Sequence, residues 1–392
     1  MPNLIQPPNI TREFVSKVRR HISISFPLLQ VVLGPRQVGK TYGIKQLLES
    51  WPGPKIMETA DLITPPDARW IENHWRRALS LGNNTLLVLD EIQKIPAWSE
   101  AIKLLFDESR NKIDLKVVLL GSASLSLQEG LTESLAGRFE LTKVPHWDFN
   151  ESREIVKISP EEYICYGGYP ESYRYINDFE RWQNFMMYSI LEPVISRDIQ
   201  ASRRINKPAL FKQTLELVMR NPAQEISFQK MLGQLQENGN VTTIQHYLNL
   251  LEGAFLIKQL RKYSPNQLKQ KVSSPKLIPS CSGLSNAFLG IKVDQKDEHF
   301  GRLFESAIGA LLASLDGELY YWREGDYEVD FILQQKKKTY AIEVKSGKRK
   351  NSASLGKFLK KYPYVTPVII NKENFPALLE KKKEFFSELN PH

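Results

Sequence analysis

The segment Gly34-Pro35-Arg36-Gln37-Val38-Gly39-Lys40-Thr41 constrains this chain more than any other. It has the form Gly-x-x-x-x-Gly-Lys-Thr, follows the apolar run from Leu28 to Leu33, and precedes a helix-like stretch from Tyr42 to Glu49. A loop between a strand and a helix turns successive backbone N–H groups inward, and the helix N-terminus adds partial positive charge, so it cradles phosphates. In that setting Lys40 reaches the β- and γ-phosphates and the Thr41 hydroxyl binds Mg2+. The segment predicts a parallel-sheet α/β domain, ATP as ligand and Mg2+ as its companion.

A second element completes such a site. Leu86-Leu87-Val88-Leu89-Asp90-Glu91 is an apolar strand closed by two carboxylates, about fifty residues beyond Lys40. An all-apolar strand suits a sheet covered on both faces. Asp90 is expected to hold Mg2+, usually through water, and Glu91 to act as general base on the attacking water. Any strand can end in Asp-Glu; the pairing with the phosphate loop gives this one meaning. Val117 to Ser122 is another buried-type strand. Ser122 either senses the γ-phosphate and orients water or is a turn serine. Arg138, in Ser134-Leu135-Ala136-Gly137-Arg138, either stabilises the transferred phosphoryl group, within the chain or on a neighbouring subunit, or is a surface arginine.

With 392 residues the chain has room for two or three domains, and 42% hydrophobic with 25% charged residues suits ordinary globular cores. The formal net charge of +9 fits an acidic partner such as DNA, or a solvated basic surface. Two distant cysteines, Cys165 and Cys281, point to no disulfide framework and fit a reducing, cytoplasmic setting. The N-terminus lacks a secretory apolar core, and no stretch is long enough to span a bilayer, so no membrane partner is expected.

Residues 1–150 alternate strand-like segments (Leu28–Leu33, Thr85–Leu89, Lys116–Leu120, Glu140–Val144) with helix-like ones (Ala68–Ser80, Ser99–Ser109). Residues 151–200 read as a helical connector. Residues 201–263 carry three short helical periods, Leu210–Val218, Phe228–Leu235 and Ile244–Leu251, then an extended Phe255–Leu260. That order suits a winged-helix domain with the third helix in the recognition position, or a plain helical bundle. Ser264–Ser274 reads as a linker. Residues 273–392 form a further small α/β domain: a helix at Arg302–Leu315, a hairpin of Tyr327–Leu333 and Thr339–Lys345, and a strand at Val365–Ile370.

The phosphate loop, Leu89-Asp90-Glu91-Ile92-Gln93, Gly121-Ser122-Ala123-Ser124 and Ser134–Arg138 resemble the prokaryotic AAA-type ATPases of the ASCE division of P-loop enzymes. The resemblance implies an extra strand between the phosphate-loop strand and the Asp-Glu strand. Tyr163 or Tyr166, leading through Gly167-Gly168-Tyr169 to Pro170, is similar to the connector of that family, whose members often add a winged-helix and a restriction-endonuclease-like module. Hexameric rings and monomers are both compatible with it, so a homo-oligomer is open. One departure is Cys281, which stands where the similar segment usually carries Asp.

In the C-terminal third, Asp330 lies on one strand of the hairpin, and Glu343 and Lys345 share a face of the next. With Glu305 on the preceding helix, the set resembles the PD-(D/E)xK nuclease superfamily. By that resemblance Asp330 and Glu343 would hold Mg2+, and Lys345 would polarise water or stabilise the pentavalent phosphate. The alternative is a solvated hairpin with ordinary surface charges. Between Gln335 and Lys361 ten Lys or Arg accompany one acid, Glu343, with Tyr340, Phe358, Tyr362 and Tyr364 interleaved. Such a run neutralises phosphates or simply solubilises. Three functions stay open: an ATP-driven DNA-handling machine, a metal-dependent nuclease with a regulatory ATPase, and a nucleotide-gated protein-interaction module. His146, His246 and His299 lack nearby Cys or His partners, which argues against zinc, and Trp98 is expected to pack at a helix start.

Overall fold

The computed structural model describes residues 10–25, 28–62, 67–122, 131, 134–199, 205–237, 239–264, 273–294, 296–336, 338–347 and 353–388. The chain divides into two compact units: Met1–His146 with Val194–Arg204, and Trp147–Pro193 with Ile205–His392.

The first unit is built from α1 (Glu13–Ile22), β1 (Leu29–Gly34), α2 (Lys40–Glu49), β2 (Lys55–Thr59), α3 (Ala68–Ser80), β3 (Thr85–Asp90), α4 (Trp98–Ser109), β4 (Leu115–Ser122) and β5 (Phe139–Lys143). Its sheet has the order β2-β3-β4-β1-β5, and every pairing is parallel. All six residues of β1 and of β3 are buried, which is why both strands carry apolar runs, Val31–Leu33 and Leu86–Leu89. β4 lies between β1 and β3, as the resemblance implied. The helix at Ala68–Ser80 has its predicted bounds, starting where the Asp67 side chain accepts from the Arg69 N–H. Trp98 is buried at the first turn of α4, the packing role expected of it. β2 escaped residue-by-residue reading because it is an edge strand with one buried residue, Ile56, so it shows no apolar run.

The second unit opens with α5 (Phe149–Ile155), α6 (Pro160–Tyr166) and α7 (Phe179–Asn184). The first two start at capping boxes, Asp148 with Glu151 and Ser159 with Glu162. α8 (Pro208–Arg220), β6 (Gln224–Glu225), α9 (Phe228–Gln234), α10 (Val241–Gly253), β7 (Ile257–Lys262) and β8 (Lys276–Pro279) follow. Then come α11 (Ser282–Leu289), α12 (Glu298–Ser314), β9 (Glu318–Glu324), β10 (Tyr327–Gln335), β11 (Lys338–Lys345), α13 (Ala353–Lys361) and β12 (Thr366–Asn371). One seven-stranded sheet, β12-β11-β10-β9-β7-β8-β6, runs through the segments that the sequence divides near residues 263 and 273. β7 joins them, antiparallel to β8 and parallel to β9. Most of the expected linker, residues 265–272, lies outside the described residues.

The Gly167-Gly168 pair is required by close approach. A Cβ on Gly167 would lie 2.2 Å from the Cys281 Sγ, and one on Gly168 2.0 Å from the Trp147 carbonyl. The Gly168 N–H donates to the Cys281 Sγ at 3.4 Å, so the thiol at this position is a small buried acceptor. The interleaved aromatics of the basic run are largely core. Phe358 and Tyr362 pack with Tyr263, Trp322, Val329 and Ile332, and Tyr340 is buried with its hydroxyl on the Phe386 carbonyl at 3.1 Å. Only Tyr364 of the four is exposed. Among the described residues no helix is long and apolar enough to cross a membrane.

Candidate nucleotide site

β1 delivers its chain into the phosphate loop through Gly34, where a Cβ would meet the Val144 carbonyl oxygen at 2.3 Å. The loop then turns through two left-handed residues, Gln37 at φ 58° and Gly39 at φ 82°, the second being the N-cap of α2. Glycine takes that conformation without penalty. Pro35 and Val38 are buried, Arg36 is half-buried and Gln37 is exposed. Lys40 is buried and folds back on its own loop, donating to the carbonyls of Gly34 at 2.9 Å and Pro35 at 2.5 Å. An ammonium held by neutral carbonyls in the middle of a phosphate cradle is placed for an anionic ligand.

β3 brings the acid pair to the same end of the sheet. The Thr41 hydroxyl donates to the Asp90 Oδ2 at 2.9 Å, and the Glu91 N–H donates to Oδ1 at 2.9 Å. Burial pushes Asp90 above the usual carboxylate range, while these two bonds and the Lys40 charge pull it back. A hydroxyl beside a carboxylate is the donor set that a hard divalent cation takes, so Thr41 and Asp90 fit Mg2+. Glu91 has a left-handed backbone, φ 53°, and its Oε2 accepts from the Gln93 amide at 2.6 Å. Gln93 therefore restrains the expected general base, a role that sequence reading missed.

Arg12 was also missed. It is the buried N-cap residue of α1, and its guanidinium donates to the carbonyls of Val38 at 2.7 Å, Pro145 at 3.1 Å and His146 at 3.4 Å. It thus ties the phosphate loop to the chain leaving β5. α1 is seated on α2 because Gly43 leaves room for Phe14, whose ring would lie 2.5 Å from a Cβ there. The His146 ring Nε2 is out of reach of solvent although the residue as a whole is only half-buried. Burial, then the charges of Arg12 and Lys40, pushes His146 down to about 3. It stays neutral at ordinary pH and adds no further cation to the loop.

Two sequence candidates are placed differently. The Ser122 backbone pairs with Gly34 across β4 and β1, at the loop end of the sheet; its side chain lies outside the described part. Arg138 precedes β5 at the opposite end, where its carbonyl accepts from the Leu29 N–H at 3.0 Å. Five residues of β1 separate that end from Gly34, a span of about 17 Å. The Arg138 guanidinium is bidentate on Asp107, at 2.8 and 2.7 Å. It is not gathered with Lys40, Thr41, Asp90 and Glu91.

The second candidate site is gathered around an unexpected residue. Lys276 of β8, 1% exposed, places its Nζ 2.6 Å from Glu305 Oε1, 3.0 Å from Glu328 Oε1 and 3.8 Å from Asp330 Oδ1. Asp330 Oδ2 accepts from the Val344 N–H at 2.7 Å. Glu343 is buried and ion-pairs with Lys345. Burial pushes Asp330 and Glu305 upward, against the pull of Lys276. Burial works against the Lys276 charge, but Glu305, Asp330 and Glu328 together raise it. Among the described residues no group of three or more His, Cys, Asp or Glu is arranged to hold a metal ion.

With this geometry in place, residues 27–153 match the family model described as AAA domain. Residues 27–153 are therefore similar to AAA-type P-loop ATPase domains. Residues 158–295 and 300–386 match two models described as domains of unknown function, DUF8612 and DUF4143. An uncharacterised protein of Mycobacterium tuberculosis is 29% identical over 343 residues, 85% of this chain and 73% of that protein. An uncharacterised protein of Methanocaldococcus jannaschii is 25% identical over 336 residues, 78% of this chain and 72% of that protein. The Holliday junction branch migration motor RuvB of Thermotoga maritima superposes with a TM-score of 0.31 at 15% identity, covering 64% of this chain and 89% of RuvB. A superposition that loose carries no argument about this chain.

Proposed function

We propose that the AAA-type domain binds ATP with Mg2+ and hydrolyses it to ADP and phosphate. The observation that carries this reading is the 2.9 Å contact of Thr41 with Asp90 beside the carbonyl-held Lys40. Thr41 and Asp90 are the residues that would hold Mg2+, which when bound would offset the negative charge of the phosphates. Lys40 exchanges the Gly34 and Pro35 carbonyls for phosphate oxygens. Glu91 leaves the Gln93 amide to accept the proton of the attacking water. Lys40→Ala is expected to weaken ATP binding by about 2–5 kcal/mol, read by titration with a fluorescent ATP analogue. Unchanged binding and turnover in that variant sink the assignment.

We infer further that hydrolysis is coupled to DNA through the second unit. The +9 net charge and the basic run support this, as does the order α8-β6-α9-α10-β7-β8 with β8 between β6 and β7, which suits a winged helix. Against it, α10 carries no Lys or Arg, and Lys357 and Lys361 ion-pair with Glu324. The position of Arg138 favours action on a neighbouring subunit over action on its own site. ATPase activity measured with and without DNA, across protein concentration and salt, tests both points. Stimulation by DNA that fades with salt supports the coupling, and a concentration threshold supports a shared site. No DNA affinity at low salt favours the nucleotide-gated protein-interaction module instead. The metal-dependent nuclease reading rests on Asp330, Glu343 and Lys345 with Glu305 nearby. It is the weaker one, because those acids already have internal cations.

A further inference from the structure

We propose that Lys276 is the resident cation of the C-terminal acid cluster: its ammonium occupies the place that a divalent metal would take among Glu305, Glu328 and Asp330. This does not rest on the ATPase reading.

The cluster draws its acids from separate elements, Glu305 from α12 and Glu328 and Asp330 from β10, and its cation from β8. An ammonium has three protons and no acceptor. Those protons have matching oxygens in Glu305 Oε1 at 2.6 Å, Glu328 Oε1 at 3.0 Å and the Asp330 carbonyl at 3.4 Å, with Asp330 Oδ1 at 3.8 Å. The Phe331 ring, 5.1 Å from Nζ, closes another side. A hard divalent cation wants the same carboxylate oxygens at about 2.0–2.6 Å. Two cations cannot share that space, and the lysine is tethered while the metal is not.

The other charges facing the cluster act in the same direction. Arg323 lies 3.7 Å from Glu328 Oε2, and Arg302 exerts a favourable charge on Glu305. Glu343, the expected co-ligand of Asp330, is held by Lys345. Lysine at position 276 therefore serves as a permanent counter-ion that lets three acids stay together without metal. The chemical class this site takes, once Lys276 is replaced by an uncharged side chain, is a divalent cation.

The test is Mn2+ binding to the full chain without nucleotide, read from the free-Mn2+ spin resonance signal and from thermal unfolding in Mn2+ or EDTA. The wild type is expected to give the same isotherm as Glu305→Gln/Asp330→Asn, because neither acid is open to metal. Lys276→Met is expected to gain one Mn2+ per chain, to lose it when Asp330→Asn is added, and to unfold at a higher temperature in Mn2+ than in EDTA. Lys276→Arg, which keeps a cation, should gain none. The proposal is overturned if wild-type Mn2+ binding falls in Glu305→Gln/Asp330→Asn, or if folded Lys276→Met gains no site. Should Lys276→Met fail to fold in either condition, the wild-type comparison alone decides.

Discussion

The acid pair of the first unit and the acid cluster of the second differ in what already answers their charge. Asp90 accepts from a hydroxyl and a peptide N–H, and Glu91 from the Gln93 amide. Glu305, Glu328 and Asp330 converge on a buried ammonium. The Asp90 carboxylate is hydrogen-bonded by neutral donors that a ligand can displace at small cost. The C-terminal cluster is held by an ion whose removal strands buried charge. Carboxylates at suggestive spacing are thus no guide to a ligand until the cations around them are known.

Exchange of one group in each unit breaks or sharpens this contrast. Glu91→Gln should cut phosphate release by about 10²–10⁴-fold while ATP binding persists; its urea unfolding midpoint should stay near that of the wild type. Lys276→Met should do the reverse. In EDTA it should lose about 3–5 kcal/mol of stability by urea unfolding, while ATP turnover of the folded protein, assayed in Mg2+, is retained. A turnover loss in Lys276→Met with undiminished stability would erase the distinction between the two clusters.

A smaller effect is expected at Arg12, which braces the phosphate loop through backbone carbonyls. Arg12→Met should cost about 1.5–3 kcal/mol of stability through the lost bonds to Val38 and Pro145. It should raise KM for ATP more than it lowers kcat, which separates positioning of the loop from chemistry. The smallest expected effect is a pH slope. Folded His146 stays neutral down to about pH 3, whereas the unfolded chain takes up a proton below about 6.5. The first unit should therefore lose stability as pH falls from about 6.5 toward 3, and His146→Gln should flatten that slope in thermal melts. A slope unchanged by the substitution assigns it to other groups.

What could be read along the chain was whatever is carried by neighbours in sequence. The phosphate loop is contiguous, so Gly34, Gly39, Lys40 and Thr41 announce the turn, the helix start and the ligand together. β1, β3 and β4 were legible because burial on both faces forces continuous apolar runs. β2 was not, since one buried residue in five leaves no pattern. In the basic run, charge was visible but the direction of the aromatics was not. Tyr340, Phe358 and Tyr362 turn into the core, which a linear count cannot tell from a stacking surface.

Sequence alone determined that this chain has a strand–loop–helix phosphate cradle and an acid-tipped strand, because hydrogen-bond geometry and apolar burial act over a few consecutive residues. Only the tertiary structure decided that Arg12 braces that cradle, that Arg138 stands at the far end of the sheet, and that Lys276 sits among the C-terminal acids. Each of those outcomes depends on a charge delivered from a remote segment. Electrostatic energy follows distance in space, and no local pattern encodes which distant side chain will arrive.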